Sequence, residues 1–257
     1  MTSQFPNVAD LVTDLKVALS FSTRLPLTQG STVAGSDLAR AVWALPIAGA
    51  CVGLFGALAY WLVARAGLPP LPAAALSIAA TMLATGCLHE DGLADVADGF
   101  GGGTTRERKL EIMRDSRIGT YGVCALFTSL LLRSAALASI ADPALAAPVL
   151  IAAHMGARSN MALFMRLVPP ARQDGLSGGV GTPPGGSVIA AVVIGIAALG
   201  IGLGPAAGAC AIMLVAAAFA LPRWLCMRQI GGQTGDVLGA LEQIGEIVIL
   251  LVAAASV

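Results

Sequence analysis

The segment His89-Glu90-Asp91-Gly92-Leu93-Ala94-Asp95-Val96-Ala97-Asp98-Gly99 concentrates acid directly after a long apolar run. Asp91, Asp95 and Asp98 are spaced i, i+4 and i+7, so a helix sets all three on one face. Glu90 stands about 100° round that helix and closes the group from the side. Like charges so placed repel, and the lower dielectric near a membrane sharpens the repulsion. A divalent cation would relieve it. Mg²⁺ suits the set best, because it takes hard oxygen ligands and is usually held by a few carboxylates together with substrate phosphates. Calcium would want a fuller oxygen cage, and zinc would find only His89 as a nitrogen ligand nearby. A solvated acidic helix end is the plainer alternative. The bracketing Gly92 and Gly99, and the five basic residues that follow, weigh against it.

Those basic residues start after the Gly101-Gly102-Gly103 break. Arg106, Arg108 and Lys109 open a short helix and read as charges that fix membrane orientation. Arg114-Asp115-Ser116-Arg117-Ile118-Gly119-Thr120 ends it, and the guanidiniums of Arg114 and Arg117 suit phosphate oxygens. Asp115 or Ser116 is placed to cap the next helix, whose N-terminal amides favour an anion. Carboxylate-held metal facing guanidinium is the arrangement that displacement at a diphosphate requires. The base for an attacking hydroxyl would be a carboxylate of the cluster not saturated by metal, or His89. His89 is equally consistent with an interface histidine that only hydrogen-bonds the acids.

Further polar groups lie inside apolar segments. His154 and Arg158 share a helix face, as do Glu242 and Glu246, with Asp236 and Gln243 beside them. Arg158 is expected either to pair with Glu242 or Glu246 or to contact substrate, since an intramembrane arginine needs a partner or a cavity. Arg133, deeper still, is expected to snorkel or to pair with Glu246. Asp174 and the glycines after it read as a mobile loop over the site. Met and Phe residues read as packing.

The elements that must position these groups are membrane helices. Of 257 residues, 56% are hydrophobic and 12% charged, where a soluble domain carries about 25% charged. Fifteen basic residues balance fifteen acidic ones, which leaves no basic excess for nucleic acid. Five cysteines, an odd number within or beside apolar runs, argue against a disulfide-stapled secreted domain. Apolar runs near 41–64, 71–88, 119–140, 146–167, 187–203, 205–221 and 236–257 are each roughly one bilayer long. The expected fold is thus all-α: a polytopic bundle of about seven spans over residues 1–257, forming a single integral-membrane catalytic domain. The segment with Asp10, Asp14 and Lys16 among apolar residues reads as an N-terminal amphipathic helix at the interface, and it lacks the marks of a cleaved signal peptide. Trp43, Tyr60, Trp61, Tyr121 and Trp224 fall near span ends as interface anchors. In the seven-span arrangement, twelve of the fifteen basic residues lie on the face that carries the N-terminus, which is therefore expected to be cytoplasmic. Every polar, glycine-rich stretch shares that face, so the active site is expected to open there.

Three motifs carry a resemblance to a known family. Glu90–Gly99 reads E-D-G-x-x-D-x-x-D-G, Arg114–Gly122 reads R-D-S-R-I-G-T-Y-G, and Gly231–Gly239 reads G-G-Q-T-G-D-V-L-G. In this order they resemble the adenosylcobinamide-GDP ribazoletransferases, the cobalamin synthases of late vitamin B12 assembly. The likeness runs along the whole chain and includes the Thr23-Arg24-Leu25-Pro26 step. It implies a Mg²⁺-dependent multi-pass enzyme of a bacterial inner membrane. Such an enzyme joins α-ribazole, or its 5′-phosphate, to adenosylcobinamide-GDP and releases GMP. It further implies metal on Glu90, Asp91, Asp95 and Asp98, and catalysis by Asp91, Asp95, Asp98 and His89. Substrate contacts would come from Arg24, Arg114, Asp115, Arg117, Arg158, Thr234, Asp236 and Glu242. The partners implied are these two substrates and the lipid bilayer, with a homo-oligomer compatible with the pattern.

Three other readings fit the residues less well. CDP-alcohol phosphotransferases share the pattern Asp95-x-x-Asp98-Gly99, but they continue with Ala-Arg and two further aspartates, and this chain has Gly102-Gly103 instead. A UbiA-type prenyltransferase would need a second acidic cluster. A transporter would route ions past Arg158, Glu242 and Glu246, yet no inverted repeat is visible.

Overall fold

The computed structural model describes residues 8–25, 27, 35–172 and 179–257. The described residues form helices joined by short turns: α1 (Val8–Ser22), α2 (Gly35–Ala41), α3 (Leu45–Arg65), α4 (Pro70–Thr85), α5 (Leu88–Gly102), α6 (Arg106–Ile112), α7 (Thr120–Ile140), α8 (Pro143–Leu167), α9 (Gly185–Leu203), α10 (Pro205–Gln229) and α11 (Gly235–Ala254). A 3₁₀ turn, Val42–Ala44, links α2 to α3. Among the described residues the extended structure is limited to an isolated parallel bridge between Pro170 and Gln233.

Starts and stops follow local chemistry. Prolines open α4, α8 and α10 at first-turn positions, where a missing N–H costs nothing. Thr105, Asp142 and Thr234 cap α6, α8 and α11 through side-chain oxygens. Leu203-Gly204-Pro205 turns α9 into α10, with Gly204 at φ +79°.

α8 and α11 form the centre. α8 packs on α3, α9 and α11, while α11 packs on α5, α7, α8 and α10. Of the most apolar window of α11, 72% is buried, against 22% in α9 and α10. Close approach depends on small residues: a Cβ on Gly49 would strike the His154 carbonyl, and one on Gly53 would lie 2.6 Å from the Ile151 Cα.

The fold class matches the all-α expectation, and five or six of the seven expected crossings meet the length and apolarity of a span on their own. Among the described residues five helical segments are long and apolar enough to cross a membrane, or six if α4 and α5 together make one broken span. Two of the seven expected spans account for the difference. α4 has 16 residues, or about 24 Å of helix, too short to cross alone. α8 has the length, but His154, Arg158, Ser159, Asn160 and Arg166 lower its hydropathy. Neighbouring helices surround the first four, which are buried, whereas Arg166 at the helix end is exposed and donates to the Pro183 carbonyl at 2.7 Å.

α1 carries a further correction. Asp14, expected on a solvated face, is buried, accepting from Arg40 Nε at 2.8 Å and Trp43 Nε1 at 2.9 Å. Trp43 is therefore a tether for α1. Tyr60 is likewise no interface anchor: it is buried and donates to the Ala141 carbonyl at 3.2 Å. Trp61 and Trp224 are exposed and stack with Arg65 and Arg228, as interface residues do.

Candidate functional site

The acidic segment folds into α5, and a sharp bend aims it. Gly86 and Cys87 both adopt left-handed backbone, φ +67° and +59°, and α4 and α5 meet at 91°. Glycine takes this conformation freely, whereas cysteine is strained in it. The bend ends the apolar helix just before His89, so the acids leave the apolar stack sideways. Arg24 packs across Gly86, and its amide bonds the Ala84 carbonyl at 2.8 Å. The Gly92 of the motif has a steric reason: a Cβ there would lie 2.8 Å from the Asp236 carbonyl oxygen, so glycine lets α5 seat on α11.

A cleft of about 410 Å³ opens between α5, α7 and the loop after α6. Glu90, Asp91 and Asp95 line one side, and Arg114, Asp115, Ser116 and Arg117 the other. Met82, Leu126 and Leu130 make its apolar wall. The two motifs joined by sequence alone thus face each other across one space. Asp115 and Arg117 are linked within the loop, with Arg117 donating from its backbone N–H, Nε and Nη2. These bonds hold the Asp115 carboxyl down to about 2. Arg114 and Arg117 are exposed to whatever enters.

The four acids divide their roles. Asp91 is exposed and Asp95 half-buried, and among the described residues neither accepts a hydrogen bond. Asp98 turns to α7: Gly119 N–H donates to one carboxylate oxygen at 2.7 Å and Gly122 N–H to the other at 2.9 Å. A Cβ on either glycine would collide with that carboxylate. The α7 cap expected from Asp115 or Ser116 is therefore supplied across the cleft by Asp98, while Gly119 at the N-cap offers no side chain. Glu90 points inward. Its Oε1 accepts from Arg133 Nη2 at 3.1 Å and from Gln243 Nε2 at 3.3 Å.

Behind Glu90 lies a buried ionic network that joins α5, α7, α8 and α11. Arg133 bridges Glu90 to Glu246 (3.3 Å), and Arg158 binds Glu242 at 2.6 Å. Both pairings were legible in the sequence. Arg158 also approaches Nδ1 of His154 at 3.1 Å and Nδ1 of His89 at 3.4 Å. Ser129 orients Gln243, which donates to Glu90 and Glu242. Ligand atoms of His154, Glu242 and Glu246 lie within 4.8 Å of one another. The two guanidiniums already neutralise those carboxylates, which makes this an ion network rather than a metal centre. His89, Arg158 and Glu242 belong to it and do not line the cleft.

The chemistry of the donors suits a hard cation at the cleft. The network sets three carboxylates against two guanidiniums, and Glu90, which also lines the cleft, has a buried Oε2 with no partner. Asp91 and Asp95 add free carboxylate oxygens one helical turn apart. Asp236, at the start of α11, lies within electrostatic reach of Asp91 and of Asp95. Thr234 caps α11 and donates to Asp236 at 3.0 Å, fully buried. Asp174 lies outside the described residues.

One group escaped sequence reasoning. Arg172, taken only as an orientation charge, sits 3.6 Å from Asp236. Its loop is clamped: Ala171 and Gln233 exchange backbone bonds with Gln233 and Pro169 at 2.8 Å, and Arg106 donates to the carbonyls of Ile230 (2.8 Å) and Ala171 (2.6 Å). Only the tertiary pairing of the two glycine-rich loops reveals this.

Comparison with known proteins identifies the family. A family model described as cobalamin-5-phosphate synthase matches residues 14–254. The chain is 57% identical over 248 residues to an adenosylcobinamide-GDP ribazoletransferase of Bradyrhizobium diazoefficiens, covering 96% of this chain and 95% of that one. It is 51% identical over 243 residues to a protein of that name from Mesorhizobium japonicum, covering 95% and 93%. With a third, from Azorhizobium caulinodans, identity is 45% over 251 residues, covering 94% and 95%. No solved structure matches the chain.

Proposed function

This chain belongs to the cobalamin-5-phosphate synthase family, and on that premise we propose that it joins α-ribazole, or its 5′-phosphate, to adenosylcobinamide-GDP with release of GMP. The observation that carries the chemical part is the cleft with Asp91 and Asp95 on one wall and Arg114 and Arg117 on the other. Diphosphate displacement needs negative charge balanced on two sides at once, and this space offers a cation site facing guanidiniums. The CDP-alcohol reading is not favoured, because neither the family match nor the sequence after Gly99 supports it.

In this reading Asp91 and Asp95, with the unpartnered oxygen of Glu90, hold Mg²⁺. Bound there, the ion would offset charge on the diphosphate oxygens and on the departing phosphate. Arg114 and Arg117 grip the nucleotide end of the diphosphate, and Asp115 holds the Arg117 fork in orientation. A ribose hydroxyl attacks the phosphorus that bears the cobinamide arm, its proton passing to a cleft carboxylate oxygen not engaged by metal. The P–O bond to GMP then breaks. Asp98 fixes the start of α7 and thereby the far wall. The cytoplasmic face of a bacterial inner membrane is the proposed setting, supported by the clustering of basic residues.

The test is incubation of the detergent-solubilised protein with adenosylcobinamide-GDP, α-ribazole or its 5′-phosphate, and Mg²⁺. GMP release that EDTA abolishes and Mg²⁺ restores is the expected result. GMP release indifferent to chelation would remove the metal from the proposal, and no release with either nucleoside would remove the function.

A further inference from the structure

Arg172 is built into the site rather than left in solvent. Its side chain is 17% exposed, its Nη2 faces Asp236 at 3.6 Å, and its Nη1 is buried with no partner. Next to it, the Oε1 of Gln233 is also buried and unpartnered, on a residue only 3% exposed. The clamp formed by the Pro170–Gln233 bridge and Arg106 holds both residues on a rigid support. Asp236 lies between two guanidiniums, within electrostatic reach of Arg172 and of Arg114. Arg172 in turn acts on Asp95. The acids of α5 and Asp236 thus have two separate sources of guanidinium: the Arg114–Arg117 loop that lines the cleft, and Arg172 beside Asp236.

Displacement at phosphorus proceeds with the entering and leaving oxygens roughly in line. If the Arg114–Arg117 loop grips the nucleotide that leaves, Arg172, the separate guanidinium beside Asp236, is left for the group that enters. A guanidinium with a free donor edge suits a phosphate monoester, whose terminal oxygens accept in the plane of the fork. We infer that Arg172 binds the 5′-phosphate of the incoming ribonucleoside and sets the preference for its phosphorylated form. Gln233 Oε1 accepts from a hydroxyl of the same nucleoside. This inference rests on the function proposed above and names the residue that recognises the second substrate.

The experiment compares α-ribazole with α-ribazole 5′-phosphate at saturating adenosylcobinamide-GDP, reading GMP release for the parent, Arg172→Gln and Arg172→Lys proteins. Arg172→Gln raises KM for the phosphorylated substrate about 10- to 100-fold, the factor expected for a lost charged hydrogen bond, and changes KM for α-ribazole less than about twofold. Arg172→Lys keeps a cation beside Asp236 and guards against misfolding. It raises the phosphorylated KM by a smaller factor and leaves kcat within about twofold, since only the fork is lost. An equal change for both nucleosides, or none for either, overturns the assignment. If the parent protein releases no GMP from either nucleoside, the proposed function itself fails and the inference falls with it.

Discussion

Asp98→Asn separates support of the cleft from metal binding, because the structure gives Asp98 two backbone partners. Its carboxylate oxygens accept from Gly119 N–H at 2.7 Å and Gly122 N–H at 2.9 Å, at the start of α7. Asparagine keeps one acceptor and turns an NH₂ towards the other amide. One charge-assisted bond is lost, worth about 1.5–3 kcal/mol. The negative charge that complements the α7 dipole goes with it, worth about 0.3–1 kcal/mol. A loss of about 2–4 kcal/mol in stability follows, because Gly119 and Gly122 leave no side chain to take over the cap. The assay is the SDS-denaturation midpoint of the detergent-solubilised protein by circular dichroism, with the Mg²⁺ concentration for half-maximal GMP release measured in parallel. The reasoning expects a clearly lowered midpoint and a Mg²⁺ requirement changed less than about threefold, well short of the 10–100-fold loss typical when a metal site is disturbed. An unchanged midpoint with a Mg²⁺ requirement raised tenfold or more would make Asp98 a metal ligand and refute the capping argument.

Other outcomes follow from the same geometry. Asp95→Asn lowers GMP release by more than about 100-fold, since a metal contact supplies several kcal/mol, yet it raises the denaturation midpoint slightly by relieving repulsion with Asp91, Asp98 and Asp236. Arg133→Met leaves Glu90 and Glu246 unpaired in the interior and costs about 3–5 kcal/mol, and adding Glu246→Gln recovers part of that in the same denaturation assay. A cysteine at Ser116, in a background with the native cysteines replaced, reacts with a membrane-impermeant maleimide in inside-out vesicles. Labelling only in intact cells would place the cleft on the opposite face.

Much of the site was legible because charge is scarce in this chain. The row Asp91, Asp95 and Asp98 follows from helical spacing, and Arg158–Glu242 from the need of a buried guanidinium for a partner. A helical wheel says which residues share a face, but not what that face meets. Hence the spacing groups Asp98 with Asp91 and Asp95 but cannot show that its oxygens meet the Gly119 and Gly122 amides of α7, nor that Glu90, about 100° away, meets Arg133 and Gln243. The bend at Gly86–Cys87 was hidden because apolar α4 runs into α5 without proline. Hydropathy alone undervalues α8, since that measure assumes a lipid neighbour and α8 has mostly protein ones. Arg172 was passed over because its meaning depends on a bridge between loops more than sixty residues apart in sequence.

The ionic network also constrains how the chain is made. Arg158 is synthesised 84 residues before Glu242, and Arg133 is synthesised 113 before Glu246. An arginine at the centre of a lone helix costs about 2.5–3.5 kcal/mol on insertion scales. Until α11 emerges from the ribosome, Arg158 waits without Glu242, and Arg133 has Glu90 as its one carboxylate partner of the network. The last helix thus locks the assembly. A chain cut short before Gly235 lacks both carboxylates of the last helix and leaves Arg158 without its carboxylate partner.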